Sequence, residues 1–222
     1  MTSPQVQSAE KALANIIRSR IATRPGHLAV PVGELGLEDF VLAVMPDFHV
    51  CEFHRFVFRH LEALERGDIT RLMLFLPPRH GKTLMASILF PIWFAARHAK
   101  KQIIVTSNSA EFAQKEISQV AQTFTHAPGW PFPDVRIDRK TRSIKNWRMT
   151  NNTVYRAIGL DGQITGRGSD LLVIDDVLKS RADAESIVIR ERQWSVYTSA
   201  LHARGELGNR IVFCNTRFHD DD

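Results

Sequence analysis

With 222 residues, of which 44% are hydrophobic, 24% charged and 9% aromatic, the chain has the make-up of an ordinary globular protein. No apolar run is long enough to span a bilayer, and the N-terminal stretch lacks the apolar block and small-residue cleavage site of a secretory signal. The formal charge of +5 and pI near 9.5 suit a polyanionic partner, although many solvated surfaces carry a similar excess. Cys51 and Cys214 fit no metal-ligand spacing, and the scattered histidines form no i, i+4 pair beside an acid, so a reduced cytoplasmic setting without a histidine metal site is expected.

In chain order, "MTSPQVQSAEKALANIIRSRIATR" reads as a short amphipathic helix. "LEDFVLAVM" and "CEFHRFVFRHLEALERG" place apolar residues at three- and four-residue spacings, and Gly67 stands where the second helix would stop. "TRLMLFL" is an apolar run suited to a buried strand. The stretch "KTLMASILFPIWFAARHA" has a helical pattern that Pro91 must kink or divide. A second buried strand, "KQIIVTS", precedes a helix that Ser107, Asn108 or Ser109 would cap. After the proline-rich break "APGWPFPD", "SIKNWRMTNNTVYRAIGL" reads as two strands around Asn151 and Asn152, a hairpin laid against the sheet. "DLLVIDD" is a third buried strand, "ADAESIVIRERQWSVYTSALHAR" one long helix, and "NRIVFCNTRF" a last strand. Strands alternating with helices predict an open, mostly parallel α/β sheet, whose ligands lie at the C-terminal ends of the strands.

The stretch from Leu74 to Ser87, "LFLPPRHGKTLMAS", ends like a phosphate-binding loop in Gly81, Lys82 and Thr83. The pattern G-x-x-x-x-G-K-[ST] wants a glycine where this chain has Leu76, so the turn must be built differently, stiffened by Pro77 and Pro78. Such a loop works because backbone N–H groups converge on an anion, the following helix adds its positive end, and a lysine reaches the outer phosphates. Lys82 would supply that charge, Arg79 a second cation, and the Thr83 hydroxyl a ligand for Mg²⁺. A bare G-K-T often only opens a helix; here it lies between a strand and a helix. "LLVIDD" adds the second element, an apolar strand delivering a carboxylate to the sheet edge. Asp175 is the natural metal carboxylate, and Asp176 is placed to orient or deprotonate water, with Glu185 in reserve.

Together, "RLMLFLPPRHGKT", "GQITGRGSDLLVIDDVLKSRADAES" and "NRIVFCNTRFHDDD" resemble the ATPase domain of the large terminase subunit of tailed bacteriophages, from about residue 40 onward. In that family the loop commonly reads P-P-R-x-G-K-[ST], so the missing glycine is a family trait. The resemblance implies a RecA-like P-loop NTPase of the ASCE type. Its single ATPase domain would cover 1–222, with residues 1–50 a helical lead-in and 51–222 the core. The nuclease domain of the RNase H type that normally follows is expected to be absent, and the chain to be a fragment. It further implies ATP and Mg²⁺ as cofactors and hydrolysis of ATP coupled to movement of double-stranded DNA into a procapsid. Portal protein and a small terminase subunit would be partners, and the protein a pentameric ring when assembled and a monomer in isolation, in the host cytoplasm and transiently at the portal vertex.

Residue by residue, the resemblance assigns Pro78, Arg79, His80, Gly81, Lys82 and Thr83 to the phosphate loop and Asp175, with Thr83, to the metal. Asp176 departs from the Asp-Glu pair of other terminases, which leaves the water-activating role open between Asp176 and Glu185. Asn215 and Thr216 match the motif that couples hydrolysis to movement, with Arg217 beside them. Arg167, between two glycines, resembles an arginine finger reaching a neighbour's ATP, with a surface-loop arginine as the alternative. His54 stands near where relatives place a polar residue beside adenine. Arg136, Arg139, Lys140, Arg142, Lys145 and Arg148, with Trp147 among them, offer contacts to DNA phosphates, or form a solvated basic face. Two other readings remain at this point: a helicase-type ATPase, and a nucleotide-binding scaffold that docks on portal or DNA without efficient turnover.

Overall fold

A computed structural model describes residues 34–160, 168–178, 180–198 and 205–218. The two expected helices are α1 (Leu37–Val44) and α2 (Glu52–Arg66), and Gly67 closes α2 at φ 87°, a left-handed conformation that costs glycine little. After β1 (Arg71–Phe75) comes a π-helical stretch, Thr83–Leu89, running directly into α3 (Phe90–Arg97). Pro91 sits in the first turn of α3, so the division it demands is a change from the wider π winding to α winding. β2 (Gln102–Ser107) leads to the short α4 (Ala110–Phe112), a second π-helical stretch (Ala113–Ser118) and α5 (Gln119–Thr125). Then follow β3 (Ile137–Arg142), β4 (Asn146–Met149), β5 (Val154–Gly159), β6 (Ser169–Asp175), α6 (Arg181–Glu185), α7 (Ile187–Val196) and β7 (Gly205–Asn215).

The seven strands of the described residues form one sheet in the order β1-β7-β6-β2-β5-β4-β3. The run from β1 to β5 is parallel, and β4 and β3 add antiparallel at the far edge. Three details differ from the sequence reading. The β4–β5 hairpin is part of the sheet, not laid against it, and β3 extends that edge. The long helix is divided at Ser186, whose extended backbone (ψ 110°) separates α6 from α7. Finally, β1 is an edge strand and not a buried one. Leu72 and Leu74 face the core while Met73 and Phe75 stay 62% and 39% exposed.

One face of the sheet carries the main core, where Val105, Val173 and Val212 meet Phe40, Leu61 and Phe94 from the helices. Burying such side chains stabilises the fold by about 1.5–3 kcal/mol each. The opposite face is thinner. Ile104, Leu172, Ile174 and Ile211 form a smaller cluster with Tyr197, and an apolar cavity of about 680 Å³ opens beside it between Met73 and Trp194.

Candidate functional site

The register of the parallel strands brings Phe75 level with Asn215, Asp175 level with Cys214, and Ser107 level with Asp175. Four strand ends therefore stop in one row, and the chain leaving β1 wraps over that row. Without the first glycine, the wrap uses two left-handed residues, Arg79 at φ 65° and Gly81 at φ 73°. Arg79 carries a Cβ into that region at a cost of about 1–2 kcal/mol. His80 is exposed and its Nδ1 pairs with the Pro78 carbonyl at 2.9 Å, tightening the turn. The Met85 amide donates to the Gly81 carbonyl at 2.8 Å, starting the helix directly after the loop.

Lys82 is not the solvent-facing loop lysine that its setting suggests: it is only 6% exposed. Its ammonium is ion-paired with Asp176 and donates to Thr216 Oγ1 at 3.0 Å. Asp176 follows β6 at φ 40°, again left-handed, and its Oδ1 also accepts the Thr216 amide at 3.2 Å. The structure thus draws together the loop lysine, the acid after the carboxylate strand, and the threonine after the last strand.

Asp175 behaves in the opposite way. Its side chain is fully buried, and among the described residues neither carboxylate oxygen accepts a well-formed hydrogen bond. Burial first, and the charge of Asp176 second, push its pKa up to about 6, against the pull of the Thr83 and Ser87 hydroxyls and Lys82. A buried carboxylate without donors costs free energy unless something cationic completes it, and the hydroxyl of Thr83 stands beside it. That donor set, one carboxylate and one hydroxyl at a phosphate loop, fits a hard divalent ion such as Mg²⁺. Among the described residues, both side-chain polar atoms of buried Asn215 and the hydroxyl of buried Ser107 likewise lack partners. Unpaired polar groups of this kind gather around the strand ends.

His54 caps its own helix, its Nδ1 accepting the Cys51 amide at 3.1 Å. Its ring packs 5.5 Å from that of Phe53, which meets His80 of the loop at 6.4 Å. Burial and nearby His49 lower its pKa. Glu185 points into solvent on α6 and pairs with Arg181 at 3.6 Å; no described contact joins it to the loop. Arg217 is exposed and lies over the Phe75 ring at 5.9 Å. Arg167 lies outside the described residues, as does the side chain of Arg142. Arg139, Lys140, Lys145 and Arg148 are exposed along the β3–β4 edge. Arg136 is half-buried and donates to the Phe132 carbonyl at 3.0 Å. Trp147 is not among the surface groups: it is buried, stacked on Tyr155 at 4.5 Å and bonded to Ser118.

Residues 73–201, more than half of the chain, match the family model of the terminase large subunit, T4likevirus-type, N-terminal. The chain belongs to the large terminase family. Solved structures of such terminases are similar to it in fold. The large terminase of bacteriophage HK97 superposes with a TM-score of 0.57 at 16% identity, over 88% of this chain and 39% of that one. The large terminase of a thermophilic bacteriophage gives 0.53 at 12% identity, over 76% and 39%. The domain is RecA-like, and the chain spans about 39% of the length of these terminases. No curated protein matches it in sequence.

Sequence reasoning missed the part played by Asn108, which it offered only as one of three possible helix caps. Ser109 takes the cap, its Oγ accepting the Phe112 amide at 3.1 Å, and Asn108 turns to Asp176 instead.

Proposed function

We propose that the domain binds and hydrolyses ATP as the motor of a viral genome-packaging terminase, acting on double-stranded DNA. The observation that carries this reading is the convergence of Lys82, Asp176 and Thr216 beside an unsatisfied, buried Asp175. Backbone amides of the loop from Arg79 to Thr83, with the helix end behind them, would receive the phosphates, and Lys82 would move from Asp176 to the outer phosphate. That exchange frees the Asp176 carboxylate, which then faces the same space as an acceptor for a water proton. Thr83 and Asp175 would hold Mg²⁺, which when bound neutralises phosphate charge. Asn215, whose buried amide has no partner among the described residues, and Thr216 would read the terminal phosphate. The Nη and Nζ groups of the β3–β4 edge would touch DNA phosphates without reading sequence. Portal, small subunit and a ring of copies complete the proposal, at the procapsid portal in the host cytoplasm.

Phosphate release from ATP, measured with and without linear duplex DNA, tests the reading. Stimulation by DNA that is lost in Lys82→Ala supports a motor. ATP binding without turnover, with or without DNA, would leave the scaffold reading standing, and strand displacement would favour the helicase. For the water-activating role, Asp176→Asn is expected to slow release far more than Glu185→Gln. The reverse ranking would move the role to Glu185.

A further inference from the structure

Asp176 is held at every polar atom the peptide offers. Its N–H donates to the Cys214 carbonyl at 2.9 Å, its Oδ1 takes Lys82 and the Thr216 amide, and its carbonyl accepts from Asn108. The last contact is double: Asn108 Nδ2 at 2.9 Å and the Asn108 backbone N–H at 3.3 Å, both on one oxygen. The peptide so gripped is one whose φ of 40° an aspartate does not adopt freely. A strained residue of this kind persists only where its surroundings over-determine it. Asn108 supplies the part of that restraint that comes from β2, while Cys214 and Thr216 supply the part from β7, the strand on the other side of β6.

We infer that Asn108 is a positioning residue for Asp176: by clamping the Asp176 carbonyl it keeps the backbone left-handed, so that the carboxylate swings from a fixed pivot. The pivot matters because the carboxylate has two destinations. In the structure it faces Lys82 and the Thr216 amide. When phosphate takes Lys82, it must face water, without the main chain relaxing toward the ordinary β or α region and carrying the side chain away. The clamp does not come from Ser109, which is committed to α4, nor from Ser107, whose buried hydroxyl has no partner among the described residues. Asn108 touches no part of the expected nucleotide position through these contacts; it acts through Asp176. The inference rests on the ATPase reading for its catalytic consequence, but not for the clamp itself.

Three variants of the whole chain test it. Asn108→Ala removes the side-chain donor. Asn108→Asp keeps the shape but offers the Asp176 carbonyl no side-chain N–H. Asn108→Ser restores a shorter donor. Misplacing a reacting group by about 1 Å costs on the order of 10²-fold, so Ala and Asp variants should lose about 10–100-fold in kcat, with Ser recovering part of it. KM and the affinity for a fluorescent ATP analogue should move less than about threefold. In an Asp176→Asn background, Asn108→Ala should cost less than about threefold more, because the pivot then carries nothing. Without nucleotide, amide exchange at Asp176 and Thr216 should quicken in Asn108→Ala while that at Val173 and Val212 does not. A kcat within twofold of wild type in the Ala variant, or an additive loss on top of Asp176→Asn, would overturn the positioning role. Unchanged exchange at Asp176 and Thr216 would overturn the clamp. A wild-type chain that shows no hydrolysis even with DNA would instead overturn the ATPase reading, with the exchange arm still deciding the clamp.

Discussion

Glu65 and Asp175 are both buried carboxylates, exposed 4% and 0%, but the fold surrounds them in opposite ways. Glu65 lies in α2, where Arg97 Nε donates to its Oε1 at 3.0 Å and His98 Nε2 approaches it at 2.7 Å. Burial alone would raise its pKa, yet the hydrogen bonds from His98 and Arg97 and their charges outweigh that and lower it. Asp175, at the end of β6, has its oxygens left open and its pKa pushed up to about 6. The first arrangement ties α2 to α3. The second leaves a buried charge without such partners, which the proposed metal ion would relieve. The two carboxylates are therefore separated in space: Glu65 is paired between helices, whereas Asp175 stands unsatisfied at the strand ends, beside the Lys82–Asp176 ion pair.

The largest expected effect lies at the strand ends. Lys82→Ala should lower ATP turnover by about 10²–10³-fold or more, because it removes the cation that stabilises charge on the transferred group. The fold should survive, since Asp176 keeps the Thr216 amide and remains half-buried, able to reach water. Phosphate release and circular dichroism on the same sample check both halves. A turnover equal to wild type would break the functional side of the comparison.

Next comes the paired side. Glu65→Gln leaves Arg97 with a neutral neighbour in a mostly dry site and should destabilise by about 3 kcal/mol in denaturant unfolding. The pH dependence has a definite sign. A carboxylate whose folded pKa is lowered adds stability above its unfolded value and loses it as pH falls through the folded value. Wild type should therefore lose more stability than Glu65→Gln on acidification below about pH 4.5. Equal acid sensitivity would show that the pairing contributes nothing.

Asp175→Asn should do the reverse. With the folded pKa raised from 3.8 to about 6, ionised Asp175 weakens the nucleotide-free fold at neutral pH, and the penalty is lifted as pH falls from about 6 toward 4. The neutral amide should thus stabilise the domain at pH 8 by about 1–3 kcal/mol, with a smaller gain at pH 5, while abolishing turnover. Thermal unfolding at the two pH values tests this. Loss of stability at pH 8 would mean that Asp175 is as well satisfied as Glu65.

How much of this contrast is written in the sequence depends on distance along the chain. The loop, the carboxylate strand and the alternation of strands and helices were legible because each is local: G-K-T after an apolar run, "LLVID" before an acid, apolar spacing of three and four. Strand order is not local. "TRLMLFL" is apolar throughout and reads as buried, yet β1 lies at the edge with Met73 and Phe75 open. The ion pair between Lys82 and Asp176 and the clamp from Asn108 join segments separated by 94 and 68 positions, and they exist only because β2, β6 and β7 end level. Nothing in the run Ser107, Asn108, Ser109 says which one caps the helix. That choice is made by the neighbouring strand.

The smallest effect isolates the strain itself. Arg79 and Gly81 share the left-handed region, but only Arg79 carries a Cβ there. Arg79→Ala and Arg79→Gly remove the same guanidinium, so any loss of turnover should be common to both. They differ in what the backbone feels. Alanine retains the Cβ clash, whereas glycine relieves it by about 1–2 kcal/mol and returns about 0.4–1 kcal/mol through the greater freedom of its unfolded chain. Glycine should therefore be the more stable of the two by about 0.5–1 kcal/mol, a difference of about 1–4 °C in Tm for a domain of this size. Matched melting curves of the two variants measure it directly. An alanine variant as stable as the glycine one would mean that the loop relaxes out of the left-handed region when the arginine is gone, and that the side chain, not the turn, holds Arg79 in place.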